Sequence, residues 1–174
     1  MITFIIGGAR SGKSSFALDL ANKSVLSEGG QKVYIATAQA LDNETKERIE
    51  KHKKERSDEW ITIEEPLNIT ALIKNIHTQY DAILIDCLTL WLSNLMLADK
   101  DIETEIETFC SSLSTVQCSL FTVSNEVGMG IVPDNEPSRK FRDMTGYLNQ
   151  KVAGIANEVY SVTAGIPLKI KQEA

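Results

Sequence analysis

The feature that most constrains this chain is a glycine-rich octapeptide at residues 7–14 (GGARSGKS), near its beginning. It matches the P-loop pattern G-x-x-x-x-G-K-[ST] at every fixed position. Residues 2–6 (ITFII) favour a buried strand, and residues 16–21 (FALDLA) favour a helix. A strand, a glycine turn and a helix bring backbone N–H groups and a positive helix end around a phosphate. The chain is therefore predicted to bind a nucleoside triphosphate, with a chance glycine turn as the alternative.

A second signal is the apolar run at residues 80–86 (YDAILID), which ends in Asp86. This is the Walker B form, whose carboxylate supports Mg²⁺ beside a P-loop. Many buried strands end in aspartate, so this interpretation depends on the P-loop. Within the P-loop, Lys13 is expected to reach the β and γ phosphates, and the Ser14 hydroxyl is expected to hold the metal ion.

Strand and helix patterns alternate through most of the chain, which favours an α/β fold with a largely parallel sheet and helices on both faces. Strands are predicted at residues 2–6, 32–36, 60–64, 80–86, 119–124, 158–163 and 167–171. Helices are predicted around residues 16–21, 42–56, 67–73, 88–98, 102–114 and 137–157. The last two strands are closely joined and are expected to form an antiparallel hairpin at the sheet edge. Without a linker or repeat, residues 1–174 are predicted to form one domain.

Composition narrows the function classes. A net charge of −6 and a pI of about 5.0 argue against a basic nucleic-acid-binding surface. The three cysteines, Cys87, Cys110 and Cys118, show no C-x-x-C spacing and predict neither a disulfide framework nor a zinc site. No apolar run approaches the roughly 18 residues of a membrane span, and Met1 leads directly into a strand, without a signal peptide. A cytoplasmic location is expected.

The two histidines differ in their surroundings. His77 lies in a polar connection before the predicted strand and is expected to be structural or solvated. Arg48, His52 and Arg56 are four residues apart and share one face of the predicted charged helix at residues 42–56. Further cations stand beside them at Lys51, Lys53 and Lys54. Positive neighbours disfavour the imidazolium form, and a neutral imidazole is a good nucleophile toward phosphorus. The alternative, which the charge pattern alone favours, is a solvated lysine-rich helix.

Together these segments resemble the bifunctional adenosylcobinamide kinase/adenosylcobinamide-phosphate guanylyltransferase family of cobalamin biosynthesis, over essentially the whole chain. The segments that carry the resemblance are residues 7–14 (GGARSGKS), 34–39 (YIATAQ), 48–56 (RIEKHKKER), 125–133 (NEVGMGIVP), 141–143 (FRD) and 165–171 (GIPLKIK). A P-loop alone identifies no family, whereas NEVGMGIVP together with R-I-x-x-H-x-x-x-R is far more specific. The resemblance shifts the preference for His52 from a solvated to a functional residue.

The resemblance implies two reactions on a RecA-like P-loop domain assembled as a homotrimer. In the first, the hydroxyl of the aminopropanol arm of adenosylcobinamide takes the γ-phosphoryl group of ATP or GTP. In the second, a histidine attacks the α-phosphorus of GTP and expels pyrophosphate. The resulting guanylyl-histidine passes GMP to the cobinamide phosphate, which gives adenosyl-GDP-cobinamide.

The resemblance also implies site residues. His52 matches the guanylylated histidine, and Asp86 stands where relatives can carry glutamate. Catalytic roles are implied for His52 and Lys13, and Mg²⁺ binding for Ser14 and Asp86. The implied nucleotide-contacting residues are Gly7, Gly8, Ala9, Arg10, Ser11, Gly12, Lys13, Ser14, Thr37, Ala38, Gln39, His52, Lys53, Lys54, Glu55, Glu64 and Asp86.

Some roles and functions stay open at this point. The segment 125–133 is either a conformationally demanding turn or a loop that closes over nucleotide or corrinoid, and Arg139 and Arg142 are candidate phosphate contacts. One alternative function is a P-loop kinase of another small hydroxyl compound, with His52 idle. Another is a nucleotide-dependent switch protein, which would leave His52 and the segment 125–133 without a chemical role. Neither a nucleic-acid partner nor a membrane span is expected.

Overall fold

The computed structural model of the chain describes residues 1–25, 30–39 and 59–172. The predicted charged helix at residues 42–56, with His52, lies outside the described residues. The strands are β1 Ile2–Gly7, β2 Lys32–Ala36, β3 Trp60–Glu64, β4 Ala82–Asp86, β5 Ser119–Asn125, β6 Glu158–Thr163 and β7 Ile166–Gln172. The helices are α1 Lys13–Ser24, α2 Ile69–Ile76, α3 Leu88–Leu97, α4 Ile102–Leu113 and α5 Glu136–Ile155.

All seven described strands form one sheet in the order β3-β2-β4-β5-β1-β6-β7. Every neighbouring pair is parallel except β6 and β7, which are antiparallel. The predicted fold class is therefore confirmed, including the antiparallel hairpin at the edge. The central strands are almost continuously apolar because helices cover both of their faces, as is usual for parallel sheets.

The two faces of the sheet carry different layers. Helix α1 packs against β1, β4 and β5, and its small residues Ala17 and Ala21 join a buried cluster with Leu84 and Val123. The described helices α2 to α5 contribute to the larger cluster on the opposite face, which contains Trp91. We call the first side the α1 face. None of the described helices is long and apolar enough to cross a membrane.

Element ends differ from the predictions by a few residues, for local reasons. Helix α2 begins at Ile69 rather than at residue 67, because the Glu65 carboxylate holds the backbone N–H groups of Leu67 and Asn68 in a turn. Strand β7 begins before Pro167 rather than at it, since an edge strand tolerates the missing donor of a proline.

Candidate active site

The P-loop turn leaves β1 at Gly7 and enters α1 at Lys13. Gly12, which precedes the helix, has a φ of 90°, a backbone conformation that favours glycine. The Ser11 N–H donates to the Gly8 carbonyl at 3.2 Å, so main-chain bonds shape the turn. The first turn of α1, which is fully described, holds no acidic residue and receives no side-chain cap. Its positive end is therefore available to an anion, as a phosphate site requires.

The turn is wedged between neighbouring backbone segments. A Cβ at Gly7 would lie 2.4 Å from the Val162 carbonyl oxygen, so a larger residue cannot fit without a shift. The tip of the β6–β7 hairpin touches the other side of the turn, where the Gly165 N–H donates to the Ser11 carbonyl at 2.8 Å. A Cβ at Gly12 would meet the Gly165 Cα at 3.2 Å. The hairpin therefore supports the P-loop.

The chemically active side chains of the P-loop lie at the start of α1. Lys13 is only 6% exposed, and its Nζ donates to the Gly8 carbonyl at 2.9 Å. This contact holds the ammonium group over the loop. Ser14 is half-buried in the first helical turn, while Gly8, Ala9 and Arg10 are exposed. The predicted P-loop geometry is thus present, and the nucleotide contacts of these residues stay predictions.

Asp86 ends β4, two strands from β1 in the sheet. Its Oδ2 accepts a hydrogen bond of 2.8 Å from the Tyr34 hydroxyl, which comes from β2. Side chains alternate along a strand, and Leu84, two residues earlier, packs on the α1 face. The Asp86 carboxylate therefore lies on the face that carries Lys13 and Ser14.

Cys87 lies close enough to both Lys13 and Asp86 for their charges to act on its thiol. Burial, and to a smaller extent the Asp86 carboxylate, raise the pKa of the Cys87 thiol to about 12, and Lys13 opposes both effects. Both Lys13 and Asp86 therefore act on the same small region behind the P-loop. At neutral pH the Cys87 thiol stays protonated, which excludes it as a nucleophile.

Thr37 fixes the segment after β2. Its Oγ1 accepts from the Cys87 N–H and donates to the Cys87 carbonyl, both at 2.8 Å. Asn94 of α3 donates to the carbonyls of Thr37 at 2.8 Å and Pro66 at 3.0 Å. Since Thr37 is fully buried and its hydroxyl has these partners, Ala38 and Gln39 are the more accessible members of the predicted contact segment.

The segment after β5 runs beside the P-loop. The Glu126 N–H donates to the Gly7 carbonyl at 2.9 Å, and at the far end Arg139 donates to the carbonyls of Pro133 and Asp134. Residues 126–134 are thus anchored at both ends. In between, the apolar side chains of Met129, Ile131 and Val132 are exposed.

The sheet order separates the predicted site residues into two groups. Two strand spacings, about 10 Å, separate the strand of Asp86 from that of the P-loop. Glu64 ends β3, four strands away from β1, at about 19 Å. Glu64 is therefore too distant to share a phosphate with Lys13. His52, Lys53, Lys54 and Glu55 lie outside the described residues.

The remaining candidates have other surroundings. His77 follows α2 at the amino edge of the sheet, opposite to the P-loop, and its Nδ1 is buried without a partner among the described residues. The position agrees with the predicted structural role. Arg139 anchors the segment after β5, and Arg142 pairs with its neighbour Asp143 at 2.9 Å.

Sequence reasoning did not find the supporting residues Tyr34 and Asn94, nor the part that the Thr37 hydroxyl plays. Tyr34 and Thr37 stand in a segment that the resemblance singled out, but their partners are 52 and 50 residues away in the chain. Nothing local in the sequence marks such contacts.

Comparisons with known proteins identify the relatives of this chain. The sequence model of the CobU family, described as cobinamide kinase/cobinamide phosphate guanyltransferase, matches residues 3–170. The chain is 41% identical to the bifunctional adenosylcobalamin biosynthesis protein CobP of Pseudomonas aeruginosa, with 99% of each chain covered. It is 37% identical to the bifunctional adenosylcobalamin biosynthesis protein CobU of Escherichia coli, with 98% of this chain and 100% of that protein covered.

Among solved structures, a KaiC-like protein from Pyrococcus horikoshii superposes with a TM-score of 0.53 and 13% identity, over 92% of this chain and 69% of the other. That likeness concerns the fold alone. The sequence matches go further, because they cover 98–99% of this chain at 37–41% identity. The chain therefore belongs to the cobinamide kinase/cobinamide phosphate guanyltransferase family.

Proposed function

We propose that this chain phosphorylates adenosylcobinamide with ATP or GTP and then transfers GMP from GTP to the product. The observation that carries the proposal is the placement of Lys13 and Asp86 on one face of the sheet, beside an uncapped helix end. The family description names the same two activities for its members.

In the first reaction, the substrate hydroxyl attacks the γ-phosphorus and the nucleoside diphosphate leaves. Phosphoryl transfer needs alignment and charge neutralisation more than covalent help from the protein. The N–H groups of the turn and the Lys13 ammonium supply both at the phosphates. The proton of the attacking hydroxyl leaves with solvent.

Mg²⁺ fits this part of the site. The Asp86 carboxylate and the Ser14 hydroxyl are hard oxygen donors on the α1 face, as Mg²⁺ prefers. No group of three or more His, Cys, Asp or Glu within the described residues could hold a metal ion alone. Ser14 and Asp86 would therefore hold Mg²⁺ jointly with phosphate oxygens, where the ion neutralises negative charge.

In the second reaction, a nitrogen of the His52 imidazole attacks the α-phosphorus of GTP. A phosphorus–nitrogen bond forms, the bond to the β-phosphate oxygen breaks, and pyrophosphate remains in the P-loop until it dissociates. An oxygen of the cobinamide phosphate then displaces the histidine and takes the guanylyl group. We propose that Lys53, Lys54 and Glu55 contact the nucleotide beside His52.

The sheet order supports one direction for the bound nucleotide. With its triphosphate on the P-loop, the nucleoside would extend along the carboxyl edge toward the ends of β2 and β3. Ala38 and Gln39 follow β2, about 14 Å from β1, and Glu64 ends β3, about 19 Å from β1. These residues would contact the base or ribose rather than the phosphates.

We further propose that residues 1–174 form one domain, and that the protein works as a cytoplasmic homotrimer. All three cysteines are described and are free thiols, which supports a reducing compartment. The edge strand β7 exposes Ile166, Leu168 and Ile170, which supports burial of this edge against another subunit.

The test is covalent labelling with GTP that carries a labelled α-phosphate, in the presence of Mg²⁺. The protein should acquire an acid-labile and alkali-stable label, as a phosphoramidate does. His52→Asn should abolish the label and guanylyl transfer and spare most of the phosphorylation. His77→Asn, the matched control at the opposite edge, should keep both. Phosphorylation of another hydroxyl compound without any protein label would instead identify a P-loop kinase of different specificity.

A further inference from the structure

The sheet register pairs Asn125, a residue with an amide side chain, with Gly7, the first residue of the P-loop. We infer that Asn125 contacts the terminal phosphate of a nucleoside triphosphate bound on the P-loop, through a hydrogen bond from its side-chain Nδ2. The inference rests on the proposed function, because it concerns the nucleotide that both reactions use.

The position of Asn125 follows from strand pairing. Strand β5 lies between β1, which leads into the P-loop, and β4, which ends in Asp86. Asn125 is the direct partner of Gly7, and Val123 is the direct partner of Asp86. Asn125 therefore lies beside the phosphate-binding turn on one side, and two residues beyond the level of Asp86 on the other.

Side-chain alternation places Asn125 on the correct face. Phe121 and Val123 belong to the buried cluster that contains α1 residues. Since side chains two residues apart share a face, Asn125 projects on the α1 face, as Asp86 does. Helix α1 packs across β4 and β5, so its positive end lies above the ends of these strands. The N–H groups of the turn cradle the α and β phosphates, which leaves the terminal phosphate to face Asn125.

The backbone at Asn125 is held from two helices. Its N–H donates to the Thr89 Oγ1 of α3 at 2.6 Å, and its carbonyl accepts from the Asn149 Nδ2 of α5 at 3.2 Å. Thr89 also bonds to the Ser124 hydroxyl at 3.0 Å. Thr89 and Asn149 are both buried. Buried polar side chains are costly unless they are paired, and here two of them fix the main chain of one half-buried residue.

The carboxamide suits this role chemically. It donates hydrogen bonds without carrying charge, and its protonation does not change with pH. An aspartate of the same shape would be repelled by the terminal phosphate. A contact to that phosphate would favour triphosphate over diphosphate, and would therefore help product ADP or GDP to leave after phosphoryl transfer.

The experiment compares the binding of ATP and ADP, each with Mg²⁺, to the full chain by calorimetry. Neither nucleotide can donate a guanylyl group, so the protein stays unmodified. Asn125→Asp should weaken ATP binding about tenfold or more and leave ADP binding within about threefold, since hydrogen bonds to charged groups are strong. Asn125→Ala should show a smaller change in the same direction. The matched control is Asn135→Ala, which removes the exposed N-cap of α5 and should leave the ratio of the two affinities unchanged.

Equal losses for ATP and ADP, or unchanged ATP binding, would overturn the inference. If Asn125→Asp does not fold, the Asn125→Ala ratio decides alone. The outcome is separable from that of the proposed function. An unlabelled wild-type protein whose Asn125 variants still lose ATP preference would reject guanylyl transfer and keep this contact. If the wild-type protein is labelled and the Asn125 variants keep the ratio of ATP to ADP affinity, guanylyl transfer is supported and the Asn125 contact is rejected.

Discussion

The two halves of the carboxyl edge of the sheet are fixed in different ways. At β1 the backbone itself builds the site: glycines permit the turn, and main-chain bonds such as that from Gly165 to Ser11 hold it. At the ends of β2 and β4, hydrogen bonds of buried side chains hold the site. The Thr37 hydroxyl bonds to the backbone N–H and carbonyl of Cys87, and the Tyr34 hydroxyl donates to the Asp86 carboxylate. We therefore expect substitutions that add atoms to damage the part built from backbone, and substitutions that remove a hydrogen-bonding group to damage the part held by buried side chains.

The largest expected effect is a loss of charge in the backbone-built half. Lys13→Ala should lower the rates of both phosphoryl and guanylyl transfer by about a hundredfold or more, because each reaction develops charge on the triphosphate that Lys13 is proposed to contact. Both rates are measured on the same protein preparation. Lys23→Ala, which removes an exposed lysine from the last turn of the same helix, should change neither. Guanylylation at the normal rate in Lys13→Ala would mean that the two reactions do not use one triphosphate site.

The next effect comes from an added methyl group in that half. Gly7→Ala should lower the free energy of unfolding by about 2–3 kcal/mol, since the new Cβ meets a backbone carbonyl that cannot move cheaply. Gly8→Ala is the matched control, because a Cβ there meets nothing within 4 Å. Urea unfolding measures both. Similar losses for the two variants would show that the turn is not confined as described.

A smaller effect should follow when a bond is removed from the other half. Thr37→Val keeps the shape but leaves the buried Cys87 N–H without its partner, so it should cost about 1–3 kcal/mol of stability. Thr37→Ser keeps the hydroxyl and should cost less. Urea unfolding measures both variants. Equal losses for Thr37→Val and Thr37→Ser would contradict the account of this half as held by buried hydrogen bonds.

The same difference explains what the sequence could predict. The P-loop turn is encoded by eight consecutive residues, 7–14, and the apolar strands of a sheet covered on both faces are equally local signals. The largely parallel sheet and the helix layers on both of its faces followed from these signals, whereas the strand order did not. The Thr37–Cys87 and Tyr34–Asp86 contacts join residues about fifty positions apart, and depend on strand neighbours that no local pattern specifies.

Asn125 is an intermediate case between features that the local sequence predicts and contacts that only the structure shows. Its segment was singled out by a family resemblance, with its role left open between a turn and a binding loop. Only the pairing with Gly7, and the contacts with Thr89 and Asn149, place it opposite the P-loop. The predicted nucleotide contacts of His52, Lys53, Lys54 and Glu55 stay predictions.

The central claim is that one phosphate cradle serves both transfers, and competition tests it most directly. Adenosine β,γ-imidotriphosphate resists phosphoryl transfer and carries no guanylyl group. With GTP as the only substrate nucleotide, we expect it to inhibit adenosylcobinamide phosphorylation and protein guanylylation with the same inhibition constant. Guanylylation that continues at analogue concentrations which stop phosphorylation would show two separate nucleotide sites and contradict the account.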